Sequence, residues 1–109
     1  MEFTPLERDV LDWIGRNSGL PEIAEQIRVV VPTSRKFTGA GSYTELLVPG
    51  EVAPVNVRTA PRGPQILSPE LDEAGGGSVL FFKEGRAVLL ELYSHGDTFP
   101  ELLSSWTLQ

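Results

Sequence analysis

The 109-residue chain contains no cysteine and a single histidine, His95. The lack of cysteine excludes disulfide bonds, thiolate nucleophiles and cysteine-ligated zinc, and it suits a reducing cytoplasm. One histidine without cysteine leaves too few ligands for a typical zinc site. We therefore expect a cytoplasmic protein with no metal site and no cofactor.

Long apolar runs are missing as well. No run reaches the roughly 18–20 residues of a membrane-spanning helix. The N-terminal stretch MEFTPLERD lacks the basic-then-apolar order of a signal peptide. We expect no membrane contact, and the length predicts one domain over residues 1–109.

Basic residues are scarce in the second half of the chain. Residues 63–109 hold seven acids and two bases, a net charge of −5, whereas residues 1–62 hold eight acids and seven bases, a net charge of −1. A surface of negative sign repels phosphate backbones, so nucleic-acid binding is not expected. The same charge favours a basic protein partner, or it simply keeps the protein soluble.

Two helices are predicted at the N-terminus. In FTPLERDVLDWIGRNSG, Thr4 and Glu7 form a capping-box pattern around Pro5, and apolar residues then recur at helical spacing. The pattern assigns Glu7 to the solvent side of this helix. A second helix is predicted in LPEIAEQIRVVVP, ending at Pro32.

Strand patterns follow the helices. SRKFTGAGSYTELLVP reads as extended chain, PVNVRTAP as a short strand, and Ile66–Leu67 as a further short strand. SVLFFKEGRAVLLELYS predicts a central hairpin that turns at Glu84–Gly85, and ELLSSWTLQ supplies a last strand. Helices followed by strands predict an α+β fold, with an N-terminal helical hairpin packed on an antiparallel sheet of about four to six strands.

The stretch LYSHGDTFPE offers a possible site. Asp97 is close enough in sequence to orient His95, and Tyr93 is a neighbour. Such close spacing rarely gives a catalytic triad, and no Gly-x-Ser-x-Gly motif accompanies it. His-Gly-Asp is also typical of a turn after a strand, which we prefer, with Gly96 in an unusual backbone conformation.

Two further patterns are weaker as sites. TGAGSYT lacks the spacing of a phosphate-binding loop, and its glycines fit a strand that another backbone approaches closely. The acids Glu70, Asp72 and Glu73 lie in a Pro- and Gly-rich stretch, where catalytic geometry is hard to hold. We expect no catalytic residues.

Most of the chain after residue 30 resembles a family of small uncharacterised bacterial α+β proteins. The likeness consists of an R-x-F-T-G-x-G stretch, an LFxxxGxxxxLE-x-Y hairpin and a GDxxP turn, at Arg35, Phe37, Thr38, Gly39, Gly41, Gly77, Leu80, Phe81, Gly85, Leu90, Glu91, Tyr93, Gly96, Asp97 and Pro100. No activity comes with this resemblance. By analogy of size and charge, it suggests an immunity protein that neutralises a bacterial toxin.

Glu91 is an acid inside the apolar strand AVLLELY. It must face water or pair with a base, and the candidate partners are Arg35, Lys36 and Arg58. Possible contacts of a partner or ligand are Glu91, Tyr93, His95, Asp97 and Arg35. Three functions follow: a non-catalytic module for a basic protein partner, which we favour; an enzyme or ligand-binding domain with a pocket near Tyr93, His95 and Asp97; and a homodimer or larger oligomer built by edge pairing.

Overall fold

The computed structural model describes residues 1–56 and 63–109. Within them, two helices precede six strands: α1 (Pro5–Asn17), α2 (Pro21–Val29), β1 (Val31–Phe37), β2 (Gly41–Leu47), β3 (Ile66–Leu67), β4 (Gly76–Lys83), β5 (Arg86–Ser94) and β6 (Thr107–Leu108). The strands form one antiparallel sheet in the order β1-β2-β5-β4-β3-β6. The predicted α+β fold, with a helical hairpin on an antiparallel sheet, is confirmed.

The first helix begins where the capping box predicts. The Thr4 hydroxyl accepts a hydrogen bond from the backbone N–H of Glu7 at 3.1 Å, and the Glu7 carboxylate accepts one from the N–H of Thr4 at 2.8 Å. Each bond satisfies an N–H that the helix itself leaves unpaired. The apolar stripe of α1 then faces the sheet, with Leu6, Val10, Leu11 and Ile14 buried.

The second helix is shorter than predicted. It ends at Val29, and Pro32 lies inside β1 rather than stopping the helix. The β-branched run Val29–Val31 favours extended chain, and proline is tolerated in β1 because this strand forms an edge of the sheet.

The stretch predicted as one extended segment is a hairpin. β1 and β2 pair antiparallel, and the N–H of Thr38 donates to the carbonyl of Gly41 at 3.0 Å across the turn. Gly39 has φ +86° in that turn. A side chain at Gly41 would meet the carbonyl oxygen of Leu92 at 1.9 Å, so the predicted close approach of another backbone is confirmed there.

The β4–β5 hairpin lies in the middle of the sheet, as predicted. Glu84 and Gly85 both have positive φ, 53° and 79°, which is typical of a type I′ turn. The buried side chain of Gln26 holds this turn to α2: it donates to the carbonyls of Ala53 and Gly85 and accepts from the N–H of Ala87.

The core lies between the helices and one face of the sheet. Its residues from the strands are Leu46, Ile66, Leu80, Ala87, Leu90 and Leu92, and the helices add Leu6, Val10, Leu11, Ile14, Ile23 and Ile27. The strand predicted in PVNVRTAP is not formed at residues 54–56, and its remainder, with Arg58, lies outside the described residues. None of the helices in the described ranges is long and apolar enough to cross a membrane.

Candidate binding surface

Within residues 1–56 and 63–109, one face of the sheet carries no helix. Thr44 of β2 is buried and its hydroxyl donates to Glu7 of α1, so Tyr43 and Glu45, which alternate with it, point away from the helices. Residues paired directly across neighbouring strands share a face. The strand register therefore defines an open face made of Val31, Ser34, Lys36, Tyr43, Glu45, Leu47, Val79, Phe81, Leu89, Glu91 and Tyr93.

The open face is rich in large apolar side chains that water reaches. Leu47 is 54% exposed, Val31 42%, Tyr43 41% and Phe81 36%. These four side chains lie on β1, β2 and β4. Val31 is paired directly with Leu47, and the half-buried Leu89 of β5, paired with Phe81, lies between β2 and β4 on the same face, so together they form an apolar patch that Glu45 and Glu91 interrupt. Contiguous exposed apolar patches on soluble domains typically mark interaction sites.

Glu91 and Glu45 place carboxylates within this apolar surface. Glu91 lies between Tyr43 of β2 and Val79 of β4, and Glu45 lies diagonally beside it, opposite Leu89. Hydrogen bonding to the Glu91 carboxylate, together with its negative charge, raises the pKa of the Tyr43 phenol. Glu45 accepts a hydrogen bond from the Ser34 hydroxyl at 2.8 Å.

Arg35 does not pair with Glu91. β2 separates β1 from β5, and Arg35 points to the opposite face, where it binds Glu7 of α1. Its Nε donates to Glu7 Oε2 at 2.9 Å, and its Nη2 donates to Glu7 Oε1 and to the carbonyl of Glu2. Of the other predicted partners, Lys36 shares the open face with Glu91 but forms no ion pair with it, and Arg58 is outside the described residues.

Glu7 is the acid whose position the sequence pattern misjudged. It was expected on the solvent side, yet it is 1% exposed. Burial alone would raise the pKa of Glu7, but hydrogen bonds from Arg35, Thr44 and the backbone of Thr4 outweigh this effect and lower the pKa. Glu7 is therefore held as a carboxylate. The burial of Glu7 is explained by its ion pair with Arg35 in β1. Nothing in the sequence around Glu7 identifies that partner.

Tyr93 and His95 extend the open face toward one end of β5. Their rings meet edge to face, with centroids 5.4 Å apart. The Tyr93 ring lies over Gly77 of β4, where a side chain would meet its hydroxyl oxygen at 2.5 Å. Nε2 of His95 lies 3.3 Å from Oε1 of Gln65, and the ring is exposed.

Asp97 is not brought to His95. It is exposed on the bend after β5 and forms no ion pair with the imidazole. Gly96 is not in a left-handed conformation, contrary to our expectation; instead, a side chain there would meet Oδ2 of Asp72 at 1.5 Å. The stretch is thus a bend that packs on Asp72, and the geometry gives no His–Asp pair.

Two cavities lie near these elements. One, between the N-terminus of α1 and the segment 99–106, has a volume of about 30 Å³, which holds only a water molecule or two. The other is an open cleft of about 630 Å³ between residues 67–73 and 105–107. The second has the size of a small-molecule site, typically about 300–1,000 Å³, and neither is formed by His95 or Asp97.

Among residues 1–56 and 63–109, no three side chains of His, Asp or Glu are grouped as a metal site would require. Comparison with protein-family models, curated proteins and solved structures finds no match to the chain.

Proposed function

We propose that the protein is a non-catalytic binding module that presents the open face of its sheet to a basic protein partner. The observation that carries the proposal is the exposed apolar patch formed by Val31, Tyr43, Leu47 and Phe81 on β1, β2 and β4, with Leu89 of β5 between them. Burying such a patch contributes about 25 cal/mol for each Å² removed from water. Tyrosine and phenylalanine are also enriched among residues that dominate interface energies or interface composition.

The charge of the surface supports a basic partner. Glu45 and Glu91 lie within the patch, where a partner's arginine or lysine side chain would meet both a carboxylate and the Tyr43 ring. Residues 63–109 as a whole carry a net charge of −5. Complementary charge speeds association and selects partners more than it adds affinity.

An immunity-type inhibitor is the finer form of this proposal. Such a protein would act in the cytoplasm by covering the basic active surface of a toxin, and it would have no need of its own catalytic groups. The negative field also disfavours nucleic acid as the partner.

Site-specific photo-crosslinking tests the proposal. A photoreactive amino acid placed at Phe81 should crosslink one basic host protein, whereas the same group at Arg16, an exposed position on α1, should not. The purified partner should then bind a Tyr43→Ser/Phe81→Ser double variant at least tenfold more weakly, about 1.4 kcal/mol. Leu20→Ser is the matched control. Leu20 is 37% exposed and Phe81 is 36% exposed, but Leu20 precedes α2 and is not part of the open face.

The open face would be rejected as the binding site if photoreactive groups at Phe81 and Arg16 gave the same crosslinks. It would also be rejected if the double variant bound the partner as tightly as the wild-type protein. If a partner is found, co-expression with it decides the immunity role. Growth arrest caused by the partner alone should be relieved by the wild-type protein and not by the double variant.

A ligand-binding role has one supporting contact, the edge-to-face pair of Tyr93 and His95 at the end of the open face. In that case His95→Ala should abolish stabilisation by a ligand. A screen of small molecules in which none raises the melting temperature would reject this alternative.

A further inference from the structure

The open cleft of about 630 Å³ is separate from the open face. It lies between the loop that follows β3 and the segment that leads into β6. Its lining is mixed. Leu67, Pro69, Leu71 and Trp106 supply apolar surface, and the charged residues among those described, Asp72 and Glu73, are both acidic.

Trp106 is fixed in this cleft by a specific bond. Its indole Nε1 donates to Oδ2 of Asp9 in α1 at 3.0 Å, so the ring cannot turn freely. The half-buried indole borders both the cleft and the small cavity beside α1. Donation to a carboxylate polarises the indole toward greater electron density, which strengthens the attraction of its face for a cation.

The exposed acids Asp72 and Glu73 line the same cleft, and no lysine or arginine among residues 1–56 and 63–109 does so. The Asp72 carboxylate packs directly against Gly96, which keeps its position defined. Among the described residues no set of three acidic or histidine side chains is grouped for a metal ion. The cleft thus combines an aromatic ring, apolar walls and negative charge without the ligand geometry of a metal site.

We propose that this cleft binds a small organic cation, an alkylammonium group, with the ammonium between the Trp106 ring and the two carboxylates. The apolar walls take the hydrocarbon part of the ligand. Aromatic rings with nearby negative charge are the usual receptors for such groups, because the cation stays attracted to the ring after it has lost water.

Titration with choline, observed by two-dimensional NMR, tests the proposal. The protein has two tryptophans, so the indole N–H resonance of Trp106 is read beside that of Trp13, which serves as an internal control. The Trp106 resonance should shift and saturate at millimolar choline, while that of Trp13 stays in place. Trp106→Phe assigns the peak.

A neutral isostere separates cation recognition from simple apolar binding. Dimethylbutanol, in which carbon replaces the charged nitrogen, should bind at least tenfold more weakly than choline. Glu73→Gln should weaken choline binding about threefold, and the Asp72→Asn/Glu73→Gln double variant roughly tenfold. Glu51→Gln, which removes an exposed acid outside the cleft, should leave the affinity unchanged.

Equal binding of choline and dimethylbutanol would overturn the proposal, and so would full affinity in the double variant or the absence of any Trp106 shift. A dispersed spectrum of each variant establishes that it is folded. None of these outcomes depends on the open face, so the partner proposal stands or fails separately.

Discussion

Glu7 of α1 and Arg35 of β1 form an ion pair that is almost sealed from water, with side-chain exposures of 1% and 14%. The two residues are 28 positions apart, and the pair links the first helix to the edge strand of the sheet. Thr4 and Thr44 complete the bonding of the Glu7 carboxylate. A buried pair contributes little net stability when complete, but it is costly to break.

Replacing Arg35 with methionine should lower the free energy of unfolding by about 3–5 kcal/mol, because Glu7 is left buried without its counter-charge. Urea denaturation measures the change. Adding Glu7→Gln to Arg35→Met should restore part of the loss. Arg28→Met, which breaks the exposed pair with Glu25, should change stability little. Equal effects at Arg35 and Arg28 would contradict the structural role of the buried pair.

Acid should destabilise the protein through Glu7. The pKa of Glu7 in the folded protein lies below its ordinary value of 4.5. Its contribution is therefore complete above pH 4.5 and is lost as the pH falls through the lower, folded-state pKa. Urea midpoints at decreasing pH should fall more steeply for the wild type than for Glu7→Gln. Parallel curves would mean that other carboxyl groups control acid unfolding.

Replacing Gln26 should reduce the stability of the fold about as much as replacing an apolar core residue. Its side chain is 1% exposed and satisfies the carbonyls of Ala53 and Gly85 and the N–H of Ala87. Gln26→Met keeps the volume but leaves these groups unpaired, which should cost about 2–4 kcal/mol. Thermal and urea unfolding measure the loss. A change below about 1 kcal/mol would indicate that water replaces the amide.

Gly41 and Gly39 should differ in their response to alanine. A Cβ at Gly41 would meet the Leu92 carbonyl oxygen at 1.9 Å, so β2 and β5 would have to separate. A Cβ at Gly39 would meet no other atom, so the destabilisation caused by alanine there comes only from the φ of +86°. Gly41→Ala should therefore destabilise by more than about 3 kcal/mol, and Gly39→Ala by roughly 1–2 kcal/mol. The opposite ranking in urea unfolding would refute this assignment.

The central hairpin offers a stabilising change. Glu84 is exposed and has a φ of +53°, which glutamate adopts poorly. Glu84→Asn creates the Asn-Gly pair that type I′ turns prefer, and it should raise stability by about 0.5–1 kcal/mol. A higher melting temperature with an unchanged spectrum checks the prediction. Glu51→Asn, at another exposed acid, controls for the change in net charge.

Short sequence patterns correctly predicted those parts of the fold in which the interacting residues are close together in the sequence. The capping box at Thr4 and Glu7 and the turn at Glu84–Gly85 each involve residues a few positions apart, and both were correct. The α+β class followed from the order of the patterns. Pro32 was misread because its effect depends on whether the strand lies at an edge, and that is decided by the pairing of the whole sheet.

The site was harder to predict because its residues come together only through sheet register. Tyr43 and Glu91 are neighbours on the open face, yet 48 positions separate them along the chain. Glu91 was recognised as an acid in an apolar strand, but Arg35, one of its three candidate partners, pairs with Glu7 instead. Trp106 is half-buried, and nothing in the sequence around it predicted the hydrogen bond to Asp9.

The two outer strands of the sheet are poor templates for aggregation. β6 has only two residues, while β1 carries Pro32, an irregularity in register before Ser34, and the charge of Lys36. Proline, irregular register and lysine at an edge hinder the strand-by-strand growth that leads to amyloid. Growth from β1 or β6 is therefore disfavoured, although apolar side chains of the open face stay in contact with water. Replacing Pro32 and Lys36 together would remove that protection.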